Sequence, residues 1–326
     1  MSPDRLIQTE PSPTTRAVLA VLAGLPVPEA ARRFGMEPTD LADAVAVFQQ
    51  AGHEALARHS ANAEWRQVIL HFGDWATSEH IFAAYVLPLL RGAEDDGTID
   101  GWWYTRKHPC WRLRLHVRPG AEVKADLGKG LDRLVADGHL HRWWPGIYEP
   151  ETAAFGGPAG MAAAHALFVA DSHEAVHLGS RDDIPLGRRE LSVMLCTAMM
   201  RAAGLEWYEQ GDVWHRVITD EHRSSIGEIP QEQLGARTRE IRALLLADCD
   251  TLQLPGGPLE STTEWIAAFR RTGHALAEAA HLGTLDRGLR RVLSLHVIFH
   301  WNRLGLSMRT QSALAWAARA AILGSK

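Results

Sequence analysis

Between residues 109 and 119 the chain reads P-C-W-R-L-R-L-H-V-R-P. Trp111, Leu113, Leu115 and Val117 alternate with Arg112, Arg114, His116 and Arg118. A two-residue period predicts a half-buried strand, since successive side chains leave opposite faces. Similar patterns predict strands over 65–73, 98–107 and 139–150, and helical spacing predicts helices over 77–91 and 122–138. Thr77 or Ser78 is the expected cap of the first of these helices. The order strand, helix, strand, strand, helix, strand predicts a ferredoxin-like split βαβ sheet, antiparallel with four or more strands. In that topology the arginine strand lies mid-sheet beside the first strand. After Gly156-Gly157 the pattern is helical, over 161–176, 188–204, 212–218, 232–247, 263–280 and 289–305, with a loop at 252–261. The expected class is α+β, the sheet being followed by a large helical region.

Ahead of the sheet, residues 1–12 are polar and proline-punctuated and read as a loose tail. Helices are expected over 14–24, 27–35 and 36–52, the last capped by Thr39 or Asp40. With Gly35 between the second and third, the group resembles a helix-turn-helix. The expected division is a small N-terminal helical module at 1–60 and a second domain at 61–326. The third helix carries Glu37, Asp40 and Asp43 and neither Arg nor Lys. It would meet phosphates with the wrong sign, so DNA is not an expected partner.

Composition narrows the classes. Of 326 residues 46% are apolar, enough to bury a sizeable core, and the net charge of −5 leaves no general footprint for nucleic acid. Cys110, Cys196 and Cys249 lie far apart, which excludes a zinc ribbon and a C-x-x-C redox centre and fits a reducing cytoplasm. The start, M-S-P-D-R-L-I-Q, has no apolar run of a signal peptide, and no stretch reaches the length of a membrane span.

Two constellations carry chemistry. A row of arginines on one strand face repels itself unless something anionic stands opposite. Guanidinium groups grip carboxylate or phosphate through paired hydrogen bonds, so the row reads as an anion site. The alternative is a solvated face neutralised by carboxylates of a neighbouring strand. The second constellation lies in 289–305, where His296, His300 and Arg303 share a helical face and Asn302 precedes Arg303. The i, i+4 histidines lack the glutamate of H-E-x-x-H and a third ligand, so no metal is expected. Each histidine alone would suit a core, but buried as a cluster these groups need bonded partners.

Four stretches, W-W-Y-T-R-K-H-P-C-W-R-L-R-L, Y-E-P-E-T-A-A-F-G-G, A-H-A-L-F-V-A-D-S and H-W-N-R-L-G, occur in this order from about Trp65 to the C-terminus. Together they resemble the C-terminal glutamate-elimination domain of lantibiotic dehydratases, found free-standing as thiopeptide-type bacteriocin biosynthesis proteins. The resemblance implies action on a ribosomally made precursor peptide, leader plus core. A separate glutamylating dehydratase subunit esterifies Ser or Thr with glutamate, and this domain removes the glutamate to leave dehydroalanine or dehydrobutyrine. The family's R-x-R falls on Arg112 and Arg114, implying a grip on the glutamyl carboxylates. Its histidine falls on His300, implying a general acid/base. Arg106, His116, Tyr148, Glu151, Asn302 and Arg303 complete the expected substrate-binding set, and no cofactor is implied.

One departure stands out. Many family members carry arginines in a pattern like Y-x-R-E-x-x-R-Y-G-G, where this chain has Tyr148, Glu149, Pro150, Glu151, Ala154 and Phe155. The missing arginines leave two alternatives beside elimination. One is a [4+2] cycloaddition that joins two dehydroalanines into a pyridine and releases the leader. The other is a non-catalytic precursor-binding partner of a dehydratase. Trp102, Trp103, Trp111, Trp143 and Trp144 form either an apolar interface or core.

Overall fold

The computed structural model describes residues 12–118, 126–220 and 231–324. Almost all of the expected N-terminal tail and the first residues of the expected helix 122–138 lie outside them. The chain forms two compact units, Met1–Ala63 and Glu64–Lys326.

In the first unit Ser12 caps α1 (Pro13–Leu22), its hydroxyl accepting from the Thr15 N–H at 3.1 Å. Helix α2 (Val27–Phe34) ends at Gly35, whose φ of +68° is readily open to glycine. A small core joins Ala17 and Val18, Ala30 and Ala31, and Leu41 and Val45. Helix α3 (Pro38–Glu64) departs from expectation at both ends. Thr39 and Asp40 fall inside its first turn rather than capping it, because Pro38 already occupies the first helical position. It also runs through Gly52. The alanine- and glutamate-containing stretch beyond has enough helix propensity to outweigh roughly 1 kcal/mol for one glycine.

The second unit begins with β1 (Trp65–His71). Next come α4 (Ser78–Ile81), a π-helical turn at Phe82–Val86 and α5 (Leu87–Asp95). Pro88 has no N–H for the preceding turn, and the helix opens into the π register just ahead of it. Thr77 holds the N-cap position of this helix, but its side chain makes no cap hydrogen bond. Asp74 instead organises the turn, accepting from the Ala76 N–H at 2.9 Å, while the Thr77 and Ser78 hydroxyls donate to the carbonyls of Asp74 and Trp75. Strands β2 (Ile99–Lys107) and β3 (Cys110–Val117) form a hairpin with a cis His108–Pro109 bond. Helix α6 (Asp126–Ala136) and β4 (Arg142–Gly146) complete the sheet.

The strand order is β2-β3-β1-β4, with antiparallel pairs throughout. This is the ferredoxin-like arrangement, with the arginine strand between β2 and β1. One sheet face packs under α4, α5 and α6 through Leu70, Phe82, Trp102, Tyr104, Trp111, Leu113 and Leu131. Trp102, Trp103 and Trp111 are therefore core, whereas Trp143 and Trp144 are half-buried.

The opposite face meets the helical region. Helix α7 (Gly157–His177) lies against β2, so close at Gly101 that a Cβ there would sit 3.3 Å from Val169. There follow α8 (Arg188–Ala202), α9 (Trp207–Thr219), α10 (Gln231–Leu246), α11 (Cys249–Leu252), α12 (Thr263–His281), α13 (Leu289–Arg303) and α14 (Met308–Leu323). Helix α14 has no counterpart in the sequence expectation. Its alanines 313, 315, 317, 318 and 321 are all buried, so no apolar stripe marks one face.

Candidate active site

Strand register sets the polar wall of a cleft. Gly146, Gln67, Arg114 and Trp103 form one row across the four strands, and Trp144, Ile69, Arg112 and Thr105 form the next. The cleft encloses about 400 Å³ over this face. Gln67, Trp103, Arg112 and Arg114 line it from the sheet, and residues 147–151 form a rim with Glu149 and Glu151. The far wall is apolar. Phe155, Phe168 and Phe299 interlock with ring centroids 5.0–5.5 Å apart, and Met161 joins them.

Arg114 is the most unusual group here. It is 6% exposed, and its guanidinium lies 4.3 Å over the Trp103 ring and 5.6 Å over the Tyr148 ring. Nη1 donates to Thr105 Oγ1 at 2.7 Å and to the Arg112 carbonyl at 3.1 Å, while the buried Nε has no partner. Among the described residues no carboxylate pairs with Arg114 or Arg112. Burial pulls the Arg114 pKa down to about 9; Arg112 and Arg303 add to this, against the opposing pull of Tyr148 and Glu151. Stacking on aromatic rings recovers on the order of 1–2 kcal/mol. The site thus holds a desolvated cation with room beside it for an anion.

A second polar cluster lies behind Phe168. Asp171 of α7 is fully buried and collects three donors: His300 Nδ1 at 2.9 Å, Arg303 Nη1 at 2.8 Å and Trp265 Nε1 at 2.8 Å. Burial alone would raise the Asp171 pKa, but His300 and Arg303 outweigh it and hold the carboxyl below its usual range. Arg303 Nε donates to Ser172 Oγ at 3.1 Å, and its guanidinium sits 4.8 Å from the Phe168 centroid.

Residues 65–322 match the family model described as "Lantibiotic biosynthesis dehydratase C-term". The chain belongs to this family. Among curated proteins none matches the sequence. Solved structures share the fold. The tRNA-dependent lantibiotic dehydratase MibB from Microbispora sp. 107891 is 23% identical over 81% of this chain, with a TM-score of 0.58, and this chain spans 28% of MibB's length. TbtD, the pyridine synthase from thiomuracin biosynthesis, is 17% identical over 80% of this chain and 99% of its own, with a TM-score of 0.53. TsrL is 16% identical over 79% and 94%, with a TM-score of 0.53.

In this dehydratase C-terminal family member, Arg112, Arg114, Tyr148 and Glu151 come together in the cleft. His300 and Arg303 do not line it. Both are 1% exposed and belong to the Asp171 cluster, and it is Phe299, their neighbour on α13, that reaches the cleft wall. Asn302 accepts from Gln311 of α14 at 3.1 Å. Arg106 lies on the opposite sheet face, 4.5 Å over Trp111, paired with Glu79 at 2.9 Å; Glu79 also pairs with Arg188. His116 stands one row beyond Arg114, 5.0 Å from Trp65. Sequence reasoning missed Asp171, His165 and the phenylalanine wall. The available signal was an acid inside the apolar stretch L-F-V-A-D-S. Among the described residues no helix is long and apolar enough to cross a membrane, and no group of three or more His, Cys, Asp or Glu could hold a metal ion.

Half-buried His165 and buried His296 carry a pH signature. Burial, with His116 and Arg114 adding to it, takes the His165 pKa from 6.5 down to about 4. Burial and Arg303 take His296 down to about 3. Between these values and 6.5 the unfolded chain binds protons that the folded chain refuses. Their contribution is therefore fully present above pH 6.5 and declines as the pH falls through that window. At its steepest the loss is up to about 3 kcal/mol per pH unit for the pair. The calorimetric Tm is expected to be clearly lower at pH 5 than at pH 7.5; equal values contradict the assignment.

Proposed function

We propose that this chain is a lyase of ribosomal-peptide maturation. It eliminates glutamate from glutamylated Ser or Thr of a precursor peptide, giving dehydroalanine or dehydrobutyrine. The observation that carries this reading is the buried Arg114 guanidinium, which lines the cleft and has no ion-paired carboxylate among the described residues. Arg112 and Arg114 take the glutamyl side-chain carboxylate and the carboxylate that leaves. Such preorganised donors favour the departing charge more than the ground state. Glu151, whose charge acts on both Arg114 and Tyr148, accepts the Cα proton. Asp171, His300 and Arg303 back the phenylalanine wall and fix its position rather than touching substrate. The precursor peptide is the partner, and a glutamylating dehydratase supplies the ester.

A second reading, [4+2] cycloaddition, draws support from the arginine-free segment Tyr148–Phe155 and from the fold shared with TbtD. The two separate on substrate. Elimination predicts free glutamate from a glutamylated precursor and no change in a precursor already carrying two dehydroalanines. Release of a leader peptide from the dehydrated precursor, with no glutamate from the first, selects cycloaddition.

A further inference from the structure

Tyr148 and His165 form a pair that the roles above leave unused. Tyr148 lies just beyond β4 and lines the cleft, its ring 5.7 Å from Trp103 in edge contact. Its hydroxyl is 2.7 Å from His165 Nε2. His165 projects from α7 with its ring 4.7 Å from that of Trp65, which restricts its rotation. Burial, with His116 and Arg114 adding to it, keeps this imidazole neutral at pH 7. Burial also raises the Tyr148 pKa, against the pull of Arg114, so the phenol keeps its proton. The pair is therefore neutral and carries one proton on the phenol oxygen and one on the imidazole. If the imidazole proton sits on Nε2 it donates to the phenol oxygen, and the phenol O–H is free to donate into the cleft.

We propose that Tyr148 is the oxyanion donor of this cleft and that His165 is its positioning residue. The proposal rests on the elimination reading. In that reaction the Cα–H bond breaks and its proton goes to the Glu151 carboxylate. The electron pair moves onto the amide carbonyl oxygen of the same residue. Tyr148 donates a hydrogen bond to that enolate oxygen without surrendering its proton. The pair then returns to form the Cα=Cβ bond as the Cβ–O bond breaks, and glutamate leaves as a carboxylate held by the arginines. A neutral donor that stays protonated across the working pH range suits this task, because no charge has to be neutralised first.

Kinetics on the full chain with a peptide bearing a glutamylated serine test the roles. Tyr148→Phe is expected to lower kcat by about 10²–10³-fold with KM nearly unchanged, the loss typical of one oxyanion donor. His165→Gln, which can present an N–H at the same place, should stay within about tenfold of wild type, whereas His165→Leu should fall with Tyr148→Phe. An unchanged kcat in Tyr148→Phe overturns the proposal. A second arm needs no substrate: ¹⁵N-histidine NMR of the whole protein at pH 7 should report the Nε2–H tautomer at His165. The Nδ1–H tautomer would mean that Nε2 accepts the phenol proton, and would overturn the proposal even if glutamate is released. Absence of glutamate release by wild type together with the Nε2–H tautomer would instead count against the elimination reading and leave the donor geometry standing.

Discussion

Replacing Arg114 by methionine is expected to leave the protein as stable as wild type, or slightly more stable, while activity falls by at least about 100-fold. The two halves of this result have one cause. Arg114 is desolvated between Trp103 and Tyr148 with no ion-paired carboxylate among the described residues, and a pKa drawn down to about 9 corresponds to several kcal/mol against its charged form. Methionine fills similar length, keeps contact with the two rings and removes that penalty, and apolar replacement of buried charge is often neutral or stabilising. What is lost is the hydrogen bonds to Thr105 Oγ1 and to the Arg112 carbonyl, and the cationic wall of the cleft. Thermal denaturation and initial rates on one preparation read both. A large drop in Tm would mean that Arg114 has a structural counter-ion role and would remove the main support for an anion site.

Asp171→Ala is expected to do the reverse, acting on stability first. The carboxylate holds His300, Arg303 and Trp265 together where all four residues are at most 1% exposed. Its removal leaves the Arg303 guanidinium buried with only Ser172 and a backbone carbonyl as acceptors. Breaking a buried pair from one side costs about 3–5 kcal/mol. For a unit of this size that is a Tm decrease on the order of 10 °C. Asp171→Asn should cost less, because it keeps the shape and one acceptor. Differential scanning calorimetry of the two variants checks the order; equal Tm values for Ala and wild type would contradict the description of this cluster as a clamp.

The arginine row was legible in the sequence because a strand writes its two faces in alternation. The split βαβ order then puts that strand at the sheet centre, where Arg112 and Arg114 line the cleft. The helical side was less legible. Helix α13 is buried nearly all round, and a helix without a polar side gives no sign of which residue faces the cleft. The face of His296, His300 and Arg303 was visible, yet Phe299 is the residue that turns to the site. Asp171 sits 94 residues from Trp265 and 129 from His300, so only tertiary packing reveals that one acid serves all its donors. Tyr148 and His165 are only 17 residues apart, but a loop and a helix separate them, with no periodic pattern to link them. Thr39 and Asp40 fall inside a helix whose first turn already holds a proline, and Thr77 stands at the N-cap of α4 without a side-chain cap bond because Asp74 organises the turn.

The claim that this cleft eliminates glutamate is tested most directly by the intact mass of a glutamylated precursor peptide incubated with the full chain. The account predicts loss of one glutamic acid from each modified residue with wild type, and retention of the ester with Arg114→Met. A precursor whose mass stays unchanged with active, folded wild-type protein, or one that loses glutamate equally fast with Arg114→Met, would contradict it.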